Sequence, residues 1–188
     1  MPQEYETRIL NIDRDEIIKK LEALGATLTK DVLQKRRTFD YPDGSLVAKN
    51  SWIRVRDTGD GKVWMAYKCH APEQGNGVAD CEEVEFEVES MDMATQFLLS
   101  VGFIQKSYQE NKRTRYQLDD IQFDIDEWPL LPLFIEIESL SKERVLEGVK
   151  MLGYSETDTF QGHCGDIYHT HGIDWENYKI ITFEKQEK

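Results

Sequence analysis

The chain has 188 residues, of which 36 are Asp or Glu and 23 are Lys or Arg, for a net charge of −13. With 39% hydrophobic and 31% charged residues, it has the composition of a globular chain long enough to bury one sizeable core. The negative charge excludes general binding to nucleic-acid polymers, no apolar run reaches the length of a membrane span, and three cysteines (Cys69, Cys81, Cys164) form no disulfide framework. The first eight residues are polar and acidic, unlike a secretory signal, so the expected setting is a reducing cytoplasm.

Three units along the chain repeat one pattern: a strand with alternating glutamates, an amphipathic helix, then a glycine. The first has Glu4, Glu6 and Arg8 on a strand, a helix over residues 15–24 and Gly25. Next come a strand at residues 34–41, closed by Pro42-Asp43-Gly44, and a hairpin pairing residues 52–56 with 63–69 across the turn-rich segment 57–62. A loop at residues 71–80, holding Pro72, Gly75 and Gly77, is expected to be mobile. The second unit has Glu83, Glu85 and Glu87, a helix over 93–101 and Gly102. A second hairpin pairs 114–118 with 122–125 across Asp119-Asp120. The third unit has Glu136 and Glu138, a helix over 142–152 and Gly153. Each glycine suits the left-handed residue that follows a helix. The expected fold is α+β: about eight mostly antiparallel strands and four helices in a single domain over residues 1–188, with 155–188 a helical and turn extension.

Strand residues two apart share a face. That rule groups Glu4, Glu6 and Arg8; Arg54 and Arg56; Glu83, Glu85 and Glu87; Arg113 and Arg115; Asp124 and Asp126; and Glu136 and Glu138. Residues between them are apolar, among them Ile53, Val55, Val84, Phe86, Ile125, Ile135 and Ile137. On any one strand this is an ordinary solvated face opposite a packed one. Repeated over some six strands with both signs of charge, it also fits a closed antiparallel barrel with charges inside and helices outside. Buried like charges need partners or ions. Carboxylates suit hard divalent cations such as Mg²⁺ or Mn²⁺, and arginines suit phosphate oxygens.

In order along the chain, Glu4-x-Glu6-x-Arg8, Arg54-x-Arg56, Lys68, Glu83-x-Glu85-x-Glu87, Arg113-x-Arg115, Asp126 and Phe134-Ile135-Glu136-Ile137-Glu138 resemble the motifs of the CYTH superfamily, the triphosphate tunnel metalloenzymes. The resemblance runs from about residue 4 to residue 154. It implies an eight-stranded antiparallel tunnel. It implies metal ligation, by one or two Mg²⁺ or Mn²⁺ ions, from Glu4, Glu6, Asp126, Glu136 and Glu138. It also implies a triphosphate grip from Arg8, Arg54, Arg56, Lys68, Arg113 and Arg115, with Glu83, Glu85 and Lys68 beside the reacting centre. Two features depart from the family pattern. Arg8 stands where the family has lysine, and Trp128-Pro129-Leu130-Leu131-Pro132-Leu133 replaces a glycine-containing turn. An arginine keeps its charge and so can clamp but not donate a proton.

Other signals are weaker. His163, Cys164, His169 and His171 lie close in sequence, but their spacing is not that of a zinc site, and a C-terminal helix and turn is the plainer reading. None of the cysteines has a predictable histidine partner for nucleophilic work. In Lys35-Arg36-Arg37 only one parity can face inward, and the sequence leaves open which. The functional expectation is a metal-dependent triphosphatase acting on inorganic triphosphate, thiamine triphosphate or ATP. The alternatives are a class IV-type adenylate cyclase making cyclic AMP and pyrophosphate, and a non-catalytic polyphosphate- or nucleotide-binding module. No nucleic-acid polymer or membrane partner is expected; monomer and homodimer stay open.

Overall fold

A computed structural model describes the backbone of residues 3–70 and 79–188 and the side chains of 5–69 and 82–188. The expected loop at 71–80 falls mostly outside these residues, as do the side chains of Glu4 and Cys81.

The fold is α+β, a large antiparallel sheet with four helices. Eight strands carry it: β1 (Gln3–Leu10), β2 (Thr27–Asp40), β3 (Ser51–Asp57), β4 (Val63–His70), β5 (Ala79–Val88), β6 (Ile104–Leu118), β7 (Ile121–Glu127) and β8 (Phe134–Ser139). Three two-residue strands, β9 (Thr159–Phe160), β10 (Ile180–Ile181) and β11 (Gln186–Glu187), are added at the C-terminal end. The ladders run β6-β2-β3-β4-β5-β1-β8-β7, and β7 also pairs β6, so the succession that starts at β6 returns to it.

Both expected hairpins form. In the β3–β4 turn, Gly59 has φ +75°, and a Cβ there would stand 2.5 Å from the Leu33 carbonyl oxygen, so only glycine fits. The β6–β7 turn has Asp119 at φ 51°, a conformation that Asp tolerates better than most residues. Two strands are longer than their sequence patterns suggest. β2 starts at Thr27 rather than near 34, and β6 at Ile104 rather than near 114. Their polar first halves lack clean alternation, but the two strands pair with each other from Thr27↔Gln117 to Asp40↔Ile104. Tertiary pairing thus extends what local propensity leaves unassigned.

Helices α1 (Arg14–Ala23), α2 (Met91–Ser100) and α3 (Lys142–Met151) begin at Asp13, Ser90 and Ser141, whose side-chain oxygens accept backbone N–H groups of the first turn. Each helix ends, as expected, before a left-handed glycine, Gly25, Gly102 or Gly153. Helices α1 and α3 bury Ile17, Leu21, Val145 and Val149 against Ile9, Ile121, Phe123, Ile125, Ile135 and Ile137 on the outer faces of β1, β7 and β8. Helix α2 packs Ala94 and Leu98 on Phe39 and Val55. A fourth helix, α4 (Cys164–Thr170), joins Trp128, Phe134 and Ile181 in a separate cluster, and the Tyr168 hydroxyl donates to the Pro129 carbonyl at 2.8 Å. The Pro-rich turn at 128–133 is therefore the seat of the C-terminal extension. No helix among the described residues is long and apolar enough to cross a membrane.

Candidate active site

Helices cover the outward apolar residues of β1, β3, β7 and β8, whereas Val84 and Phe86 on β5 stay exposed, and the alternate residues of the eight strands face one another across a cavity of about 500 Å³. Two ion-pair networks line it. The first spans β3, β4 and β5. Arg54 donates to Glu83 at 3.0 Å and to Glu85 at 3.2 Å; Arg56 donates to Glu85 at 3.0 Å; and Lys68 lies 2.9 Å from Glu83. The second spans β6, β7, β8 and β1. Arg113 grips Asp126 with Nε at 2.9 Å and Nη2 at 2.5 Å, meets Asp124 at 2.7 Å and reaches Glu136 at 3.3 Å. Arg115 forks onto Asp124 with both bonds at 2.7 Å. Arg8 donates to Glu6 at 2.9 Å, to Glu136 and to the Gly162 carbonyl.

The expected acidic and basic residues therefore meet in one place, with three qualifications. Glu87 shares the parity of Glu83 and Glu85 but lies at the exposed end of β5. The side chain of Glu4 is outside the described residues. Asp126 has its oxygens held by Arg113 and by the Asn111 amide at 2.8 Å. Among the described residues, the group that could hold a cation is Glu6, Glu136 and Glu138, with ligand oxygens all within 4.8 Å of one another. Three carboxylates of this kind fit a hard divalent ion, which takes oxygen ligands and keeps waters for the remaining positions.

Burial and charge act against each other on the titrating groups. Burial disfavours the charge of Arg8 and Arg113, but the carboxylates beside them win and raise both above the ordinary guanidinium range. Burial also opposes ionisation of Glu136, yet Arg8 and Arg113 hold it far below the usual carboxylate range. Asp126 moves the other way: its burial outweighs Arg113. Glu83 is lowered, since Lys68 and Arg54 overcome its burial. Arg56 falls to about 10 through burial and the neighbouring Arg54.

The sequence left the parity of Lys35-Arg36-Arg37 open. Arg36 is the residue that faces in, 7% exposed; Lys35 is exposed, and Arg37 reaches Asp92 and Thr95 on α2. Several neutral residues also line the cavity without having been expected there: Thr38, Ser107, Gln109 and Trp52. The alternation Ser107-x-Gln109-x-Asn111-x-Arg113 has the parity of the arginine motif and could have identified Ser107 and Gln109 on the wall and Asn111 behind it.

At one end, His163, Cys164 and Trp175 also line the cavity. The zinc reading of this segment has no support in its geometry. His163 Nδ1 accepts the Gly165 N–H at 2.9 Å, His169 Nε2 lies 2.9 Å from Glu176, and His171 Nδ1 is 2.9 Å from the Ile167 carbonyl. Burial pushes the Cys164 thiol well up, which makes it a poor nucleophile.

Comparison with known proteins agrees with this geometry. The CYTH domain model matches residues 2–162. A protein of Methanocaldococcus jannaschii, provisionally named an adenylate cyclase, is 28% identical over 149 residues, covering 77% of this chain and 83% of its own. Among solved structures, a Pyrococcus horikoshii protein superposes with a TM-score of 0.73 at 22% identity, over 87% of this chain and 98% of that one. A Hippeastrum protein, provisionally an adenylyl cyclase and described as revealing a dominant triphosphatase activity, superposes with a TM-score of 0.65 at 21% identity, over 90% of this chain and 96% of the other. At these identities the structural matches speak for the fold.

Proposed function

Since the chain belongs to the CYTH domain family, we propose that its ring of ladders works as a tunnel and that it is a metal-dependent triphosphatase, cleaving a triphosphate to a diphosphate and orthophosphate with one water. The observation that carries this reading is the juxtaposition of the Glu6–Glu136–Glu138 group with guanidinium groups in one cavity. A divalent ion held by those three carboxylates would screen phosphate charge and lower the pKa of a bound water. The chain's own residues do the rest. Arg54, Arg56, Arg113 and Arg115 supply forked donors to the phosphate oxygens, and Lys68 a point charge. Glu83 and Glu85 orient those cations and offer acceptors that can position the water. Arg8 is fixed by Glu6, Glu136 and Gly162, and its charge is reinforced, so it clamps and does not act as an acid.

The test is direct. Purified protein with Mg²⁺ or Mn²⁺ is given inorganic triphosphate, thiamine triphosphate and ATP in turn. Orthophosphate release supports the hydrolase. Cyclic AMP with pyrophosphate from ATP would instead support a cyclase, the reading favoured by the name of the archaeal relative. Binding without turnover would leave a binding module.

A further inference from the structure

On the lumen side of the sheet, every guanidinium of the expected grip already has a carboxylate. Arg8 has Glu6 and Glu136, Arg54 and Arg56 have Glu83 or Glu85, and Arg113 and Arg115 have Asp124. Arg36 differs. It lies on β2, between the two networks. Its register partners are Arg56 on β3 and Gln109 on β6, and no described carboxylate is within ion-pair distance of it. Like charges directly opposite each other on neighbouring strands repel. Among the described residues, its Nη2 is bonded to neutral acceptors, the side-chain oxygens of Gln34 at 3.1 Å and of Asn111. Its Nε is buried with no partner among the described residues, as are those of Arg8, Arg54 and Arg56, so what sets Arg36 apart is the missing carboxylate. Its guanidinium carbon stands 4.5 Å from the centre of the Trp128 ring, a contact that favours the charged form but offers no acceptor to Nε. Burial, then Arg54, Arg56 and Arg113, disfavour its charge and outweigh Asp126, which favours it from beyond the bridging Asn111 amide. A cation kept in such a place is short of an anion.

We propose that Arg36 is the anchor for the phosphate chain, the group in the cavity that gains a counter-ion only when a polyphosphate enters. The inference rests on the phosphate-processing reading above and adds a residue to it. At the other arginines an incoming phosphate must compete with a resident carboxylate. At Arg36 it does not. The cationic arc β3-β2-β6 then faces the phosphates, and the acid group on β1 and β8 faces the metal.

The experiment measures binding of inorganic triphosphate by calorimetry in the presence of a chelator, so that neither turnover nor metal enters the result. It compares the wild type, Arg36→Met and the double variant Arg54→Ala with Arg56→Ala. Arg36→Met is expected to weaken triphosphate binding on the order of 10- to 100-fold, the usual scale for a charge-assisted hydrogen bond. Its unliganded Tm is expected to equal or exceed the wild-type value, because an unpaired buried charge has gone. A purely structural Arg36 would give the reverse: lower Tm and unchanged affinity. If Arg36→Met does not fold, Arg36→Gln, which can still bond Asn111, carries the same affinity test. Wild-type affinity in a folded Arg36 variant, alongside lost affinity in the double variant, overturns the anchor and leaves the phosphate reading standing. Absence of triphosphate binding by the wild type in chelator overturns the anchor, and absence of binding with Mg²⁺ as well overturns both.

Discussion

Strand β8 presents two opposite environments within six residues. Ile135 and Ile137 point outward and are fully buried under α3, while Glu136 and Glu138 point into the cavity, Glu136 with 8% exposure. The two faces are held for different reasons. The outer face is held by close packing and gains free energy with each apolar area removed from water. The inner face is held by compensation among charges, which contributes little net stability and places functional groups. Substitutions on the two faces should therefore separate stability from chemistry.

The largest effect is expected inside. Removing two of the three clustered carboxylates, Glu6→Gln with Glu136→Gln, should lower metal-dependent phosphate release by at least ~10²-fold, the scale for losing a preorganised charged group. The check is kcat with saturating Mn²⁺, alongside a melting curve to show that the fold persists. Turnover within threefold of wild type would remove these residues from the metal site. The outer counterpart is Ile137→Ala, expected to cost ~2–5 kcal/mol of stability by leaving a cavity beneath α3. The variant that stays folded should keep the phosphate-release rate of the wild type. A large kcat loss at a temperature well below Tm would show that the two faces are not independent.

A finer probe of the outer face is Gly148 on α3. A Cβ there would stand 2.9 Å from Ile137 Cγ2 and 3.1 Å from Ile121 Cγ2. Gly148→Ala gains about 1 kcal/mol of helix propensity but overpacks a filled interface, at a cost of ~1–3 kcal/mol. A small net loss is expected. In the Ile137→Ala background the new methyl enters vacated space, so the same change should be neutral or stabilising. A double-mutant cycle by urea denaturation gives the sign, and additive costs would mean that Ile137 is not what Gly148 accommodates.

The same two-faced alternation explains what could be read from the sequence. Strands β1, β3, β5, β7 and β8 carry charged and apolar residues largely in turn, so their parity can be read from the pattern, and the three capped helices ended where their glycines stand. Arg36 was unreadable for the opposite reason. Its neighbours Lys35 and Arg37 are also basic, so charge gives no parity, and the register is set by β6, which pairs Gln34 with Asn111 and Arg36 with Gln109. The first halves of β2 and β6 were missed because each is ordered by the other rather than by its own pattern. The neutral wall of Thr38, Ser107 and Gln109 contains no group that a charge-based search would select. The seat of α4 on the Pro-rich turn depends on contacts such as Tyr168 with Pro129, 39 residues apart, which no local window contains.

The smallest effect tests whether inner-face charges contribute anything to stability. Glu83 faces Lys68 and Arg54. Burial raises its pKa, but those two cations outweigh it and the folded value lies below the ordinary one. A depressed carboxylate adds stability above its unfolded pKa of ~4.3 and loses it as pH falls through the folded value. Glu83→Gln should thus be less stable than the wild type at pH 7, by about 1 kcal/mol or less for so partly solvated a pair. The difference should shrink as pH drops below about 4. Melting curves of both proteins from pH 7 to pH 3 make the comparison, in low salt to limit screening. A gap that stays constant with pH would mean that packing of the Glu83 stem, rather than its charge, is what β5 contributes to the inner face.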